Sequence, residues 1–299
     1  MELIHEFVEQ RPEVVAAFGY GSGVFKQTNN DPNKKTNIDM IFVTSNPKEW
    51  HIDNMKLNKG DYSLTGKFTF KYGNESKING ITGISYISDI DYKGTLFKYG
   101  TISETDLEKH LLKWDSFYVP GRLQKPILPI VSNRKFDYLI AKNRGDALMT
   151  ASYLQPGENA SKEEILTTLC GLSYKGDTRM KFGEKRTKVS DIVTGSFDEF
   201  EKIYDFDNAE YLIPYGDKYI IDRTKLLENM HSLPDSLLEH IRFTLDSGDE
   251  ELIKRTIYDY FTQLNKREST SQMFKGVATD GVVKSLAYAY RKIQKRFGK

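Results

Sequence analysis

The sequence has almost no cysteine, since Cys170 is the only one in 299 residues. A single thiol cannot form an internal disulfide framework or supply a cysteine-rich zinc site. Cys170 lies in an apolar run with helical spacing, so we predict that it is a small core residue. The five histidines show no paired metal-binding spacing, and the sequence therefore gives no indication of zinc chemistry.

Long apolar runs and an excess of one charge are also missing. No window approaches the roughly 18 consecutive apolar residues that a membrane-spanning helix needs. Lys and Arg number 43 against 42 Asp and Glu, which leaves a formal charge of +1 and no global attraction for nucleic acid. We therefore expect no transmembrane helix and no nucleic-acid partner, while 299 residues are ample for a large hydrophobic core.

What the sequence does contain is a glycine-rich turn that follows a short apolar run. Gly19, Gly21 and Gly23 surround Ser22 in this turn. Without a Cβ atom the backbone can adopt positive φ and approach a ligand closely, so that its N–H groups point at phosphate oxygens. The Ser22 hydroxyl adds a further donor. The pattern predicts a nucleotide-binding turn formed by Gly21, Ser22 and Gly23.

A second apolar run, Ile38–Val43, carries a single carboxylate, Asp39. The β-branched content of this run predicts a central strand, where a lone carboxylate is costly without a partner. Mg²⁺ is a suitable partner because it binds carboxylate and triphosphate oxygens together. We interpret Asp39 as a catalytic residue and metal ligand of a nucleotidyltransferase. From the local pattern alone, a structural turn beside a strand-end aspartate is an equally good interpretation.

The strand departs from the usual pattern of nucleotidyltransferases in one respect. Many of these enzymes carry two carboxylates two residues apart, which places both on one face of the strand and lets them share two metal ions. Here Ile41 occupies the second position. The segment from Lys26 to Lys35 also lengthens the spacing between the turn and the strand, and we predict that it is a solvated loop. A second metal ligand must come from elsewhere, or one metal ion suffices.

Blocks of residues spread along the chain form a longer-range pattern. They are Tyr20–Gln27, Asn46–His51 with Tyr62 and Ser63, Lys98–Gly100, Gly121–Pro126, Gly171–Asp177, Arg179 and Met180, Gly183 and Glu184, Lys275 and Gly276, Gly281, and Lys284 and Ser285. In this order the blocks resemble the mitochondrial translocator assembly and maintenance family, the mitochondrial-type CDP-diacylglycerol synthases. The resemblance implies a peripheral membrane enzyme of phospholipid synthesis, including cardiolipin and phosphatidylglycerol. Such an enzyme joins CTP to phosphatidic acid with Mg²⁺ and releases pyrophosphate.

Four further site residues follow from these blocks. Lys98 can neutralise charge as pyrophosphate leaves, although a solvated strand lysine is an equal alternative. Arg122 offers a planar fork for phosphate and Lys125 a compact charge, and only the family block raises them above an ordinary charged linker. Asp177 is a candidate for the missing metal ligand, or it simply pairs with Arg179.

The pattern of elements predicts an α+β protein with three regions. Residues 1–118 would form a nucleotidyltransferase-fold domain that contains the strand of Asp39 and a hairpin turning at Lys93 and Gly94. Residues 119–248 would form a mainly helical, winged-helix-like domain that serves in packing and as a lid. Residues 249–299 would form a C-terminal helical region that ends in an amphipathic helix.

The last segment of the chain suggests a membrane contact. Its apolar residues fall at helical spacing, and its polar part carries six cations, among them Lys284, Arg291 and Lys295. A basic amphipathic helix can lie in the interface of an anionic membrane, and phosphatidic acid is an anionic lipid. The alternative is an ordinary helix packed on the core with a solvated basic face. With a lipid substrate implied, we favour the membrane interpretation.

The N-terminus resembles neither a signal peptide nor an arginine-rich transit peptide, because three glutamates precede Arg11. We therefore expect a bacterial relative on the cytoplasmic face of the membrane. The other possibility is a trimmed eukaryotic chain on the matrix side of the mitochondrial inner membrane.

Two other functions stay open at this point. A nucleotidyltransferase that acts on a soluble or RNA acceptor would share the glycine turn and Asp39, but it would not need a basic C-terminal helix. A non-catalytic, membrane-associated assembly factor is the other possibility, and Ile41 in place of a second carboxylate is its best support.

Overall fold

The computed structural model describes residues 1–25, 37–73, 79–182 and 187–280. The loop predicted between Lys26 and Lys35 lies outside these residues. So does the predicted amphipathic segment with Lys284, Arg291 and Lys295. None of the helices in the described ranges is long and apolar enough to cross a membrane.

A five-stranded mixed sheet forms the centre of the N-terminal part. Its strands are β1 (Ala16–Tyr20), β2 (Ile38–Thr44), β3 (Ile84–Tyr92), β4 (Thr95–Ser103) and β5 (Ile127–Val131). They lie in the order β3-β4-β2-β1-β5, in which β2 and β4 are parallel and the other neighbours are antiparallel. Side chains alternate between the two faces of β2, so Asp39 and Ile41 face one side while Met40 and Phe42 face the other.

Helices cover both faces of this sheet. α1 (Glu2–Glu9), α2 (Pro47–Leu57) and α3 (Leu64–Tyr72) pack on the side of Met40 and Phe42, and α4 (Glu104–Lys113), α5 (Pro120–Leu123) and α6 (Arg134–Tyr153) pack on the side of Ile41. The first side is rich in aromatic contacts, because Phe7 stacks on Phe97 and Phe42 stacks on Tyr99. Two separate apolar cores therefore hold β2 in the middle of the layers.

The rest of the chain is mainly helical. Its helices are α7 (Lys162–Leu172), α8 (Arg179–Phe182), α9 (Lys188–Gly195), α10 (Phe197–Ile203), α11 (Arg223–Asn229), α12 (Asp235–Leu245) and α13 (Glu250–Asp280). A small sheet in the order β6-β8-β7 accompanies them, with β6 at Asn159–Ala160, β7 at Leu212–Tyr215 and β8 at Lys218–Ile221. One continuous core joins these elements to Trp114 and Phe117 of the N-terminal part.

The long helix α13 contacts both parts of the molecule. The Asn265 side-chain amide donates to the carbonyl oxygens of Leu172 at 2.7 Å and Lys175 at 2.9 Å, which ties α13 to the loop after α7. Further along α13, the Lys275 ammonium donates to Thr82 Oγ1 at 3.1 Å and Ile84 O at 3.4 Å at the edge of the five-stranded sheet. The helix therefore fixes the helical part against the sheet.

The hairpin predicted at Lys93 and Gly94 is confirmed, and it joins β3 to β4. A second hairpin joins β7 to β8 and turns at Gly216. Ser103 Oγ accepts the N–H of Asp106 at the start of α4. A reciprocal capping box of Ser161 and Glu164, with the S-x-x-E spacing, opens α7.

Other features add to the expectation. β1 begins at Ala16, the first residue that pairs with β2. β5 belongs to the five-stranded sheet although it follows residue 118, and the two-residue strand β6 is too short for any sequence pattern to show. The α+β class is confirmed. The domain bounds and the winged-helix arrangement stay predictions.

Gly176 shows how tightly the loop after α7 packs on α13. Its φ is +76°, and a Cβ atom built there would lie 2.4 Å from the carbonyl oxygen of Thr262. We predict that Gly176→Ala lowers the free energy of unfolding by about 2 kcal/mol or more, because positive φ and a backbone clash act together. Denaturant unfolding measures this effect.

Gly171→Ala is the matched control, because a Cβ atom at Gly171 in α7 meets nothing within 4 Å. We expect this control to be neutral or slightly stabilising, since alanine favours the helix. Equal stability of both variants would contradict the proposed close packing.

Candidate active site

Three side chains form a row across the five-stranded sheet. Tyr20 of β1 pairs in register with Asp39 of β2, and Asp39 pairs with Lys98 of β4. Residues paired in register point to the same face of a sheet, so the three groups project to one side. The Lys98 ammonium lies 4.4 Å from the centre of the Tyr86 ring, and the Tyr86 and Tyr20 hydroxyls are 3.3 Å apart.

The glycine-rich turn follows β1 directly and lies beside Asp39. Gly21 has φ of +75°, and a Cβ atom there would come within 3.7 Å of the Asp39 carboxylate. A Cβ atom on Gly23 would lie 2.2 Å from the carbonyl oxygen of Asn37, so Gly23 lets the turn pack against the chain that enters β2. The turn therefore places Ser22 and Asp39 together, and Gly23 has a packing role.

Two cations extend from the short helix α5 and the residues after it. The Arg122 guanidinium lies 3.7 Å above the Tyr118 ring and donates to the Tyr118 carbonyl oxygen. The Lys125 ammonium donates to Gly121 O at 2.6 Å and Ser173 Oγ at 2.7 Å. Burial lowers the pKa of Lys125 to about 8, because the charged ammonium is less stable away from water.

Asp177, in the loop after α7, forms a close ion pair with Arg179, the first residue of α8. Arg179 Nε donates to both carboxylate oxygens of Asp177 at 3.0 Å, and the Arg179 backbone N–H donates to Asp177 Oδ1 at 2.9 Å. Burial raises the pKa of Asp177, but the Arg179 hydrogen bonds outweigh burial and the pKa is lowered. Of the two sequence interpretations of Asp177, the pairing with Arg179 is the one present here, and metal binding stays a prediction.

Helix α13 supplies polar groups that the sequence reasoning did not identify. The buried Glu268 carboxylate accepts the backbone N–H of Phe117 at 3.0 Å and 3.2 Å, and Asn265 and Ser269 lie near it on the same helix. Burial raises the pKa of Glu268 to about 7. Apolar residues at helical spacing precede these groups on the same buried face, so the continuation of that spacing was the available signal.

These elements enclose one cleft with a volume of about 180 Å³. Six of the predicted site residues line it, namely Gly21, Ser22, Asp39, Arg122, Lys125 and Asp177. Gly23 and Lys98 do not line it, although Lys98 shares the row of Asp39. The six residues come from four separate segments of the sequence, and the fold brings them together.

The cleft is electropositive although the whole chain is nearly neutral. Arg122, Lys125, Arg179 and Lys188 line it against the carboxylates of Asp39, Asp177 and Glu268. Asp177 and Arg179 pair with each other, and burial raises the pKa of Glu268 to about 7, so the cations prevail. Burial raises the pKa of the nearby Tyr118 phenol, but the charges of Arg122, Arg179 and Lys98 outweigh burial and lower it. Such a concentration of cations is suited to a ligand with several phosphate groups.

The carboxylates of the cleft limit how a metal ion could bind. Among the described residues, no group of three or more His, Cys, Asp or Glu could hold a metal ion. Ile41 is fully buried in the core beside the cleft and offers no ligand. Asp39 faces the cleft, and its carboxylate forms no hydrogen bond or ion pair within the residues that the structure describes. The single Asp39 carboxylate can supply one ligand to a hard cation such as Mg²⁺, whose remaining ligands would have to come from substrate oxygens and water.

Comparison with known proteins identifies the family. A family model described as "Phosphatidate cytidylyltransferase, mitochondrial" matches residues 2–295 of this chain. The chain belongs to this family. The match extends over nearly the whole chain, and it confirms the resemblance seen in the sequence blocks.

Curated members of the mitochondrial phosphatidate cytidylyltransferase family come from distant eukaryotes. The enzyme of Caenorhabditis elegans is 30% identical in an alignment that covers 93% of this chain and 93% of that protein. The Rattus norvegicus enzyme is 31% identical, with 93% of this chain and 89% of that protein covered. The Schizosaccharomyces pombe enzyme is 27% identical, with 93% of this chain and 79% of that protein covered.

Glu268 makes stability depend on pH near neutrality. Its pKa rises from the ordinary 4.5 to about 7 in the folded protein, so between these values the folded state holds a proton that the unfolded state has released. The free energy of unfolding must therefore fall as pH rises through this window, by up to about 3 kcal/mol. We predict that Glu268→Gln, which imitates the protonated side chain, removes this dependence.

The measurement is denaturant unfolding of both proteins at pH 5 and pH 7.5. The variant should gain stability relative to the parent chain as pH rises. Parallel changes in the two proteins would show that the Glu268 proton is not responsible.

Proposed function

We propose that this protein is a phosphatidate cytidylyltransferase, which joins CTP to phosphatidic acid and releases CDP-diacylglycerol and pyrophosphate. The observation that carries the proposal is the single cleft that unites the Gly21–Ser22 turn and Asp39 with the cations Arg122 and Lys125. Family membership supplies the substrates, because the relatives carry this activity in their names.

The reaction needs little covalent chemistry from the protein. A phosphate oxygen of phosphatidic acid attacks the α-phosphorus of CTP, the bond to the bridging oxygen breaks, and pyrophosphate leaves with the bonding electrons. The phosphate monoester is anionic near neutral pH, so it does not require a strong general base. Positioning of two anionic substrates and neutralisation of the leaving group then provide most of the rate.

The side chains of the cleft are suited to these tasks. Ser22 can donate its hydroxyl to a phosphate oxygen, and the Arg122 and Lys125 cations can stabilise the charge that develops on pyrophosphate. Arg179 is held by Asp177 and also lines the cleft. Lys98, in the row of Asp39, keeps its proposed role in neutralising the leaving group.

We also propose Mg²⁺ as the cofactor. Asp39 would hold it, with Asp177 as a possible second ligand only if the pair with Arg179 opens. When bound, Mg²⁺ would reduce the negative charge of the triphosphate and polarise its phosphorus–oxygen bonds.

The wider setting of the reaction follows from the same proposal. The sheet around Asp39 would be a nucleotidyltransferase-type domain, and the helical part would be a winged-helix-like lid over the cleft. The product would serve phospholipid synthesis, including cardiolipin and phosphatidylglycerol. The protein would act as a peripheral membrane enzyme, with Lys284, Arg291 and Lys295 in contact with anionic lipid.

The first test is pyrophosphate release from the purified protein with Mg²⁺, phosphatidic acid vesicles and each of the four ribonucleoside triphosphates. We expect that CTP is the only one of the four nucleotides that gives release. This release should also require phosphatidic acid. Release without lipid would favour a soluble or RNA acceptor. No release with any nucleotide would contradict catalysis and favour an assembly factor.

Asp39 should be indispensable for turnover. We predict that Asp39→Ala lowers kcat at least about a thousandfold while the fold stays intact, because the group proposed to hold Mg²⁺ is lost. Steady-state kinetics and circular dichroism measure the two effects. Asp53→Ala is the matched control, because Asp53 is an exposed aspartate that pairs only with Lys56 on α2. Near-normal turnover of Asp39→Ala would contradict the metal assignment.

Lys125 should make CTP binding depend on pH. Its pKa of about 8 means that its charge is lost as pH rises through that value in the free protein. We predict that the dissociation constant for CTP rises by about tenfold from pH 7 to pH 9.5. A change of this size corresponds to the loss of one hydrogen bond from a charged group. Titration calorimetry at several pH values measures it.

Lys125→Met is the comparison that isolates this charge. The variant should bind CTP more weakly at pH 7 and should lose most of the pH dependence, since other titrating groups are common to both proteins. An unchanged pH profile in Lys125→Met would mean that another group is responsible.

A further inference from the structure

Helix α3 carries a row of large apolar side chains that the fold leaves exposed. Leu64, Phe68 and Tyr72 are exposed by 85%, 67% and 64% of their surface. They follow one another at intervals of four residues, so they share one face of the helix. Leu57 at the end of α2 is exposed by 65%. We call Leu64, Phe68 and Tyr72 the α3 stripe.

The α3 stripe is not needed to hold α3 in place. The opposite face of the helix already buries Phe70 completely, and Phe70 stacks on His51 with ring centres 3.8 Å apart. Within the stripe, Phe68 and Tyr72 contact each other with ring centres 5.0 Å apart. An exposed apolar row of this size on an anchored helix is typical of a surface that meets another apolar phase.

The charges around the stripe indicate the kind of partner. Lys67 and Lys71 lie on its flank, and α3 contains no acidic residue. The Lys71 ammonium lies 5.3 Å from the centre of the Tyr72 ring. The nearest acidic residue before the helix, Asp61, is already paired with Arg11 at 2.8 Å. Apolar side chains bordered by lysines match the headgroup region of an anionic bilayer.

The position of α3 relative to the cleft supports the same partner. Helix α13 lines the cleft with Asn265 and Glu268 and also packs against α3 and β3. Helix α13 therefore connects α3 directly to the cleft in which a lipid substrate would react.

We propose that the α3 stripe docks the protein on an anionic lipid surface, with Leu64, Phe68 and Tyr72 in the interface and Lys67 and Lys71 among the headgroups. The inference rests on the proposed function only in that a lipid substrate is drawn from a bilayer. It assigns a membrane contact to the N-terminal part of the chain, in addition to the contact proposed for the basic C-terminal segment.

The first test places a fluorescent reporter in the stripe. Trp50 and Trp114 are exposed by only 5% and 0%, so Phe68→Trp adds the solvent-facing indole. We expect a blue shift of its emission with vesicles that contain phosphatidylglycerol and little shift with pure phosphatidylcholine vesicles. An unchanged emission with both vesicles would overturn the proposal.

The second test removes the stripe. Leu64→Ser with Phe68→Ser should weaken binding to phosphatidylglycerol vesicles by about tenfold or more, as expected for two apolar side chains withdrawn from the interface. Phe243→Ser is the matched control, because Phe243 on α12 is an aromatic exposed by 76% outside the stripe. Co-sedimentation gives both affinities, and equal losses in the two proteins would overturn the proposal.

Two measurements separate this inference from its alternatives. If the stripe instead joins two copies of the chain, the double variant changes the mass in solution and keeps its vesicle affinity, which overturns the proposal. Turnover of a short-chain, water-soluble phosphatidic acid should be equal in the double variant and the parent chain. If neither the parent chain nor the double variant turns over this substrate, the proposed function is refuted. The vesicle assay uses no CTP or phosphatidic acid, so it tests docking independently of that function.

Discussion

The cleft depends on the packing of α13 against both parts of the molecule. Glu268 accepts the Phe117 N–H, Asn265 holds the loop after α7, and Lys275 reaches the edge of the five-stranded sheet. Each of these groups is buried or partly buried, so each would be costly without its partner. This set of contacts holds the helical part, which carries Arg179, against the sheet, which carries Asp39, and without it each part would hold half a site.

The electrostatics of the cleft follow from the same arrangement. Cations from α5 and the residues after it, from α8 and from α9 converge on a space where only Asp39 offers a carboxylate without a partner among the described residues. A site of this kind is suited to a polyphosphate, and under the proposed Mg²⁺ assignment a single carboxylate would serve where many nucleotidyltransferase strands carry two. Ile41 fits this view, because its side chain completes the apolar core beneath the site.

The sequence allowed part of this site to be predicted. Gly21, Ser22 and Asp39 stood out because local spacing determines a turn and a strand, and Arg122 and Lys125 stood out through their family block. Glu268 did not, because its partner Phe117 is 151 residues away and no local pattern reports such a contact. The nucleotide-binding role of Gly23 stays a prediction, and its close approach to Asn37 could not be predicted because it depends on how the chain returns to β2. The α+β class and the hairpin at Lys93 and Gly94 followed from periodicity, but the edge position of β5 depended on tertiary pairing.

The central claim is that the cleft directs attack on the α-phosphorus of CTP by a lipid phosphate. The most direct measurement uses CTP radiolabelled at the α-phosphate or at the γ-phosphate, followed by extraction of lipid into organic solvent. The account predicts that the α-label enters the lipid fraction and that the γ-label stays in water as pyrophosphate. Transfer of the γ-label into lipid, or of neither label, would contradict it.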